Sequence, residues 1–255
     1  MKKNRNPLFR SKSALLFVCL AAGISLVIPA CKKDNDTTAN SGVSEKQAIT
    51  VVSDAMINDQ SGLVTQISSA AQIASGMSAE RKGAKLSDLC GLNENGAHNG
   101  SFTSEGTTIA YDVAWNYVLN CVQEVPQYLG ISYNSKLDVS SDKLTAKDSS
   151  VAAFKISGLD STAAEWVFNQ KFDHAGQITS KTAETPSFNS VIAYTSTDVK
   201  VSKTTLLIVS GTATLTISGK DSKGNSYSYS GTITFKGNKK ATLVVAGGSS
   251  YELAW

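Results

Sequence analysis

Leu207-Ile208-Val209-Ser210-Gly211-Thr212-Ala213-Thr214-Leu215-Thr216-Ile217, followed after a short break by Tyr227-Ser228-Tyr229-Ser230-Gly231-Thr232-Ile233-Thr234-Phe235, decides the fold. Apolar residues at odd positions alternate with serines and threonines, the period of two that marks a strand with one buried and one wet face. Leu207, Val209, Ala213, Leu215 and Ile217 are expected on the buried face, with Ile208 among the outward residues. Between the two runs lies Asp221-Ser222-Lys223-Gly224-Asn225, which suits a three-residue hairpin loop with Gly224 in the left-handed position. A hairpin centred on Lys223 sets Gly211 opposite Phe235 and Gly231 opposite Leu215. Each glycine then lies beneath a bulky cross-strand neighbour.

The same odd-numbered face continues through Leu243, Val245, Tyr251, Leu253 and Trp255, so the C-terminal strands form a meander. Upstream, Ile109, Tyr111, Val113, Trp115, Tyr117, Leu119 and Cys121 make one long strand, about 40 Å if unbroken. Shorter strands are expected around Ile131–Val139, Ala152–Ile156, Glu165–Phe172 and Asn189–Tyr194. Near the other end the period changes to 3.6. Ile49, Val52, Met56, Leu63, Ile67, Ala70 and Ala74 form a helical stripe. Ser44 with Gln47 fits a capping box at its start. Gly62 is placed to bend or divide the helix and Gly76 to stop it.

These elements predict an α+β fold that is mainly β. One strongly curved antiparallel sheet or partial barrel is covered on its apolar side by an N-terminal amphipathic helix spanning about 44–75. A helix-free β-sandwich is the alternative. Residues 44–255 are expected to form a single β-rich domain, 31–43 a flexible polar tether, and 1–30 a removable leader.

That leader carries Lys2, Lys3, Arg5, Arg10 and Lys12, then an apolar run from Ala14 to Ile28 too short for an ordinary membrane-spanning helix. It ends in Ile28-Pro29-Ala30-Cys31, which resembles the lipobox of bacterial lipoproteins. The resemblance implies cleavage before Cys31, lipid on its sulfur and palmitate on the new N-terminus. The membrane is then the first partner, held through several acyl chains because a single chain binds only marginally. Lys32-Lys33-Asp34-Asn35-Asp36 resembles the surface-export signal of Bacteroidetes lipoproteins and reads equally as a solvated spacer. The outer membrane is the expected site, at its periplasmic face or the cell surface. Asp36-Thr37-Thr38 and Asp160-Ser161-Thr162 resemble the O-glycosylation triplet of the same group.

The chain of 255 residues has a formal charge of +3. Its first thirty residues hold five of the 24 cations and none of the 21 acids, so the remainder carries 19 cations against 21 acids, a net −2. A near-neutral body without a basic cluster argues against nucleic acid as a partner. With Cys19 in the leader and Cys31 taken by lipid, Cys90 and Cys121 remain to form one disulfide in an oxidising compartment; two buried thiols are the alternative.

The search for chemistry finds little. His98, in Asn95-Gly96-Ala97-His98-Asn99-Gly100, reads as a loop residue, and His174 as part of a hairpin turn before Gly176. The strand-to-helix nucleophile elbow is missing, as are zinc-protease, calcium-loop and phosphate-loop patterns. Glu105, Asp112, Glu124, Asp138, Glu165, Glu184 and Glu252 are scattered acids, better read as solvated than as a glycosidase pair. Trp115, Trp166 and Trp255 are better read as core than as a stacking surface. No catalytic residue, metal or cofactor is expected. The expected function is a non-enzymatic structural or interaction module of the cell envelope, with a protein, glycan or lipid as its unidentified partner. A carrier or sensor of hydrophobic ligands, resembling the half-barrel lipoprotein carriers in architecture, is the alternative, and a glycan-active enzyme the third reading.

Overall fold

The computed structural model describes residues 43–57, 62–79, 85–182 and 187–255. The leader, Cys31 and the tether up to residue 42 lie outside them, as does Glu184. Two helices, α1 (Glu45–Ile57) and α2 (Leu63–Ala79), precede a 3-10 turn at Leu86–Leu89. Ten strands follow: β1 (Asn93–Ser104), β2 (Thr107–Val122), β3 (Val125–Ser140), β4 (Leu144–Ser157), β5 (Glu165–Ser180), β6 (Phe188–Ser202), β7 (Ile208–Asp221), β8 (Ser226–Gly237), β9 (Lys240–Val245) and β10 (Ser250–Ala254). They pair in sequence order, each antiparallel to the next, in one open sheet whose edges are β1 and β10. The α+β, mainly β architecture is the one expected from the patterning, with every connection reduced to a turn or short loop.

The decisive hairpin forms in the expected register: Gly211 pairs with Phe235 and Leu215 with Gly231. Gly224 takes φ +85°. The Asp221 carboxylate accepts hydrogen bonds from the amides of Lys223 and Asn225, both at 2.8 Å, and so fixes the turn locally. One part of the expected parity fails. Ile208 is buried, whereas Leu207 and Val209 are exposed. The register of β6 against β7 shifts between Ser196 and Lys200 and again before Val201, so the inward positions change from even to odd along β7. Gly211, at φ +136°, lies where a Cβ would come within 2.6 Å of the Val199 Cα. A bulge of this kind re-aims every side chain beyond it.

The single long helix expected over 44–75 is two helices, separated around Gly62, and Gly76 lies within α2 rather than at its end. The capping box is present: the Ser44 amide donates to Gln47 Oε1 at 2.8 Å, and the Gln47 amide donates back to Ser44 Oγ at 3.3 Å. The helical stripe is buried as the spacing requires. Ile49, Val52, Met56, Leu63, Ile67, Ala70 and Ala74 all join the same core as Phe154, Phe168, Phe172, Tyr194, Ile217 and Leu243 of the sheet.

Hydrogen bonds locate the helices across the sheet. Tyr251 on β10 donates to Glu45 Oε1 at 2.7 Å and Tyr229 on β8 to the Val43 carbonyl at 3.1 Å, so α1 begins over the C-terminal strands. Gln66 of α2 reaches Ser150 on β4 at 3.4 Å, and α2 also packs on β3. The pair thus spans the inner face from β10 to β3. Among the described residues, no apolar side chain of β1, and none of β2 before Val113, belongs to that core or packs against it. Among the described residues no helix is long and apolar enough to cross a membrane.

Candidate functional site

Cys90 and Cys121 are joined in a disulfide. It ties the 3-10 turn to the far end of β2, where Leu119 is fully buried. Cys31, the residue expected to carry lipid, falls outside the described residues.

The two histidines are not in turns. His174 lies within β5 and His98 within β1. The glycines beside them made both segments look like loops, yet each glycine is required by a neighbour's bulk. A Cβ at Gly176 would meet Asp148 Oδ1 and lie 3.3 Å from Ser190 Oγ. His174 and Asp148, on neighbouring strands, both point to the inner face, with His174 Nε2 3.7 Å from Asp148 Oδ1. That separation is proximity without a proper hydrogen bond.

Burial pushes the Asp148 carboxyl up to about 6, and the charges of Asp54 on α1 and Asp138 on β3 add to the effect. Asp54 is likewise pushed up to about 6 by the protein around it, although its side chain keeps contact with water. Burial pulls His174 down to about 4. The cluster therefore combines carboxyls that resist ionisation with an imidazole that resists protonation. Ser150 Oγ is engaged elsewhere: it contacts Ser135 Oγ at 2.6 Å and accepts from Gln66. Among the described residues no group of three or more histidine, cysteine or acidic side chains is arranged to hold a metal.

The remaining acids are not brought together. Glu105 and Glu124 occupy left-handed turn positions, at φ 48° and 64°. Glu165 lies 3.8 Å from Lys200, and Glu252 3.1 Å from Lys236. Asp112 borders a depression of about 200 Å³ on the outer face, shared with Asn134, Lys136 and Ser149. It is exposed there, a solvated acid in register with Lys136. Asp160 caps the exposed turn after β4, accepting from the amides of Thr162 and Ala163, each at 3.0 Å. Those bonds, with that from the Thr162 hydroxyl first, hold its carboxyl below the usual range.

Trp166 is core, and Trp255 packs edge-on against Phe235 with ring centres 6.1 Å apart. Trp115 belongs to a different environment. It is only partly buried and packs at the margin of the core. Its ring lies over Gly96 of β1, where a Cβ would come within 2.6 Å of Cε2. Tyr111 covers Gly100 in the same manner, at 2.7 Å from its hydroxyl oxygen, which also contacts His98 Nε2 at 3.0 Å. Tyr117 donates to Glu94 at 2.9 Å. Phe102 at the end of the row is 39 % exposed. The result is a level aromatic shelf along β1 and β2 that continues to the edge of the sheet. Sequence reading missed it because β1 is wet on both faces and carries no apolar alternation. Gly96 and Gly100, set opposite Trp115 and Tyr111 in the register, were its only signal.

No known protein family, curated protein or solved structure matches the chain.

Proposed function

We propose that this chain is a lipid-anchored protein of the bacterial cell envelope that works by binding a partner, with the β1–β2 flank as its contact surface. The observation that carries the reading is the contrast along the inner face. From β3 to β10 that face shares one buried core with the two helices, whereas Trp115 lies partly buried at the margin of that core, Tyr111 is partly buried outside it, and Phe102 is exposed. Exposed aromatic rings beside an unpaired strand edge are contact chemistry. The anchor is argued from Ile28-Pro29-Ala30-Cys31 and the short basic-then-apolar leader, and the tether would hold the domain clear of the headgroups.

A role in catalysis has weaker support. The inward Asp148–His174 cluster is depressed in charge by burial, and Ser150 Oγ beside it is engaged by Ser135 and Gln66. The carrier reading requires space beneath the helices, where Ile49, Val52, Met56, Leu63 and Ile67 are packed side chains.

The anchor is tested by Cys31→Ser in the native host, followed with a labelled fatty acid. The wild-type chain is expected in the membrane fraction and labelled; the variant is expected unlabelled and uncut. A variant that remains labelled and processed at the same position overturns the anchor.

A further inference from the structure

The two edges of the sheet differ in how they are protected. Strand β10 has five residues, and its Glu252 is paired with Lys236. Strand β1 has twelve residues, no proline, no lysine or arginine, and a single charge at Glu94. Proteins that stay monomeric usually blunt a long edge with lysine, proline or a bulge, because its free N–H and C=O groups template another strand. None of these devices is present in β1, which pairs with β2 through twelve consecutive residues without a register shift.

From this edge we infer that the partner is a second copy of the chain, joined by antiparallel β1–β1 pairing about a two-fold axis through Asn99. The inference rests on the reading of the domain as an anchored binding module and names its partner. Several observations select that register. A continuous sheet must keep even-numbered β1 residues on the inner face of both copies, so facing positions share parity. Centring on Asn99 overlaps the whole of Glu94–Ser104. It sets Phe102 of one copy opposite Gly96 of the other, and His98 opposite Gly100. Every glycine then faces a larger side chain. Centring on His98 instead sets glycine opposite glycine and His98 opposite His98. In the Asn99 register the lone charge, Glu94, faces Ser104, so no like charges meet.

The anchor is compatible with the same geometry. A two-fold perpendicular to the sheet keeps both Val43 residues at one height along the axis, and Val43 lies twelve positions after Cys31. Fully extended, such a stretch reaches at most about 40 Å. With the axis normal to the bilayer, both tethers reach one membrane.

The test is oxidative crosslinking of the mature lipoprotein in its native membranes. With Cys31 lipidated and Cys90 bonded to Cys121, an added thiol is the only free one. Facing residues of an antiparallel pair lie about 4.5–5.5 Å apart at Cα, within reach of a disulfide. Asn99→Cys is expected to give a product of twice the monomer mass. Asn95→Cys alone is expected to give none, and Asn95→Cys with Thr103→Cys to restore it. Monomer throughout overturns the second copy while leaving the anchored module intact, since membrane retention is read in the same gel. A crosslinked product of any other mass also overturns it and points to a foreign strand on the edge. A chain absent from the membrane fraction would instead count against the anchor itself.

Discussion

At Asp148 a carboxylate faces the protein interior with a side chain 24 % exposed. Its carboxyl is raised from 3.8 to about 6, so the charged form is penalised in the folded state only. That penalty is fully present above about pH 6 and is relieved as the pH falls through 6 toward 3.8. His174 acts in the opposite sense. Its folded value is lowered from 6.5 to about 4, so the stability of its neutral form is present above pH 6.5 and is lost as the pH falls toward 4. Acidification thus strengthens the fold at one residue while weakening it at its neighbour. Asp148→Asn removes the first effect alone. Urea unfolding should find the variant more stable than the wild type at pH 8 by about 1–2 kcal/mol, after allowing for the solvent that still reaches the group. The difference should vanish near pH 3.5. Equal stabilities at pH 8 would mean that water solvates Asp148 more fully than its burial indicates. None of this was legible in the sequence. The stretch around His174 looked like a turn, Asp148 carried no signal, and only the pairing of β4 with β5 brings the two groups together.

The elements were easier to read where one face is greasy and the other wet. The β7–β8 hairpin, its centre and both glycine pairings follow from alternation and turn chemistry alone. The reading failed where a bulge interrupts alternation, at Leu207 to Val209, and where glycines serve as seats for aromatic rings, at Gly96 and Gly100. Gly62 signalled the division of the helix, whereas the apolar stripe, which keeps its spacing from Met56 to Leu63, did not. The disulfide acts at this scale too. It closes a loop of 31 residues and fastens the 3-10 turn and the start of β1 to the end of β2. Replacing Cys90 and Cys121 together by alanine should lower the unfolding free energy by about 3–4 kcal/mol on the chain-entropy account. Because the link lies at one end of the first hairpin, amides of β1 should show the largest rise in hydrogen exchange. An unchanged midpoint would show that the hairpin holds without the link.

For the whole molecule, the order of strands explains why one flank is left over. A ten-stranded meander presents a broader apolar face than two helices of 13 and 17 residues cover. Closing the sheet would have consumed both edges; leaving it open gives a packed interior over most strands and an aromatic margin at β1 and β2. The apolar side of this arrangement was visible in the alternation. The margin was not, because coverage depends on where the helices lie, and no periodicity encodes that. On the proposed reading the domain acts through its outside and is filled within. Native mass spectrometry of the chain from Lys32 onward, exported and purified from a periplasm under mild conditions, tests this most directly. The predicted spectrum contains only the bare polypeptide, two hydrogens light for Cys90–Cys121, as monomer or as its integer multiple. A reproducible added mass of lipid size, lost when Ile49, Met56 and Ile67 are replaced by smaller residues, would contradict the account and make the space beneath the helices the functional site.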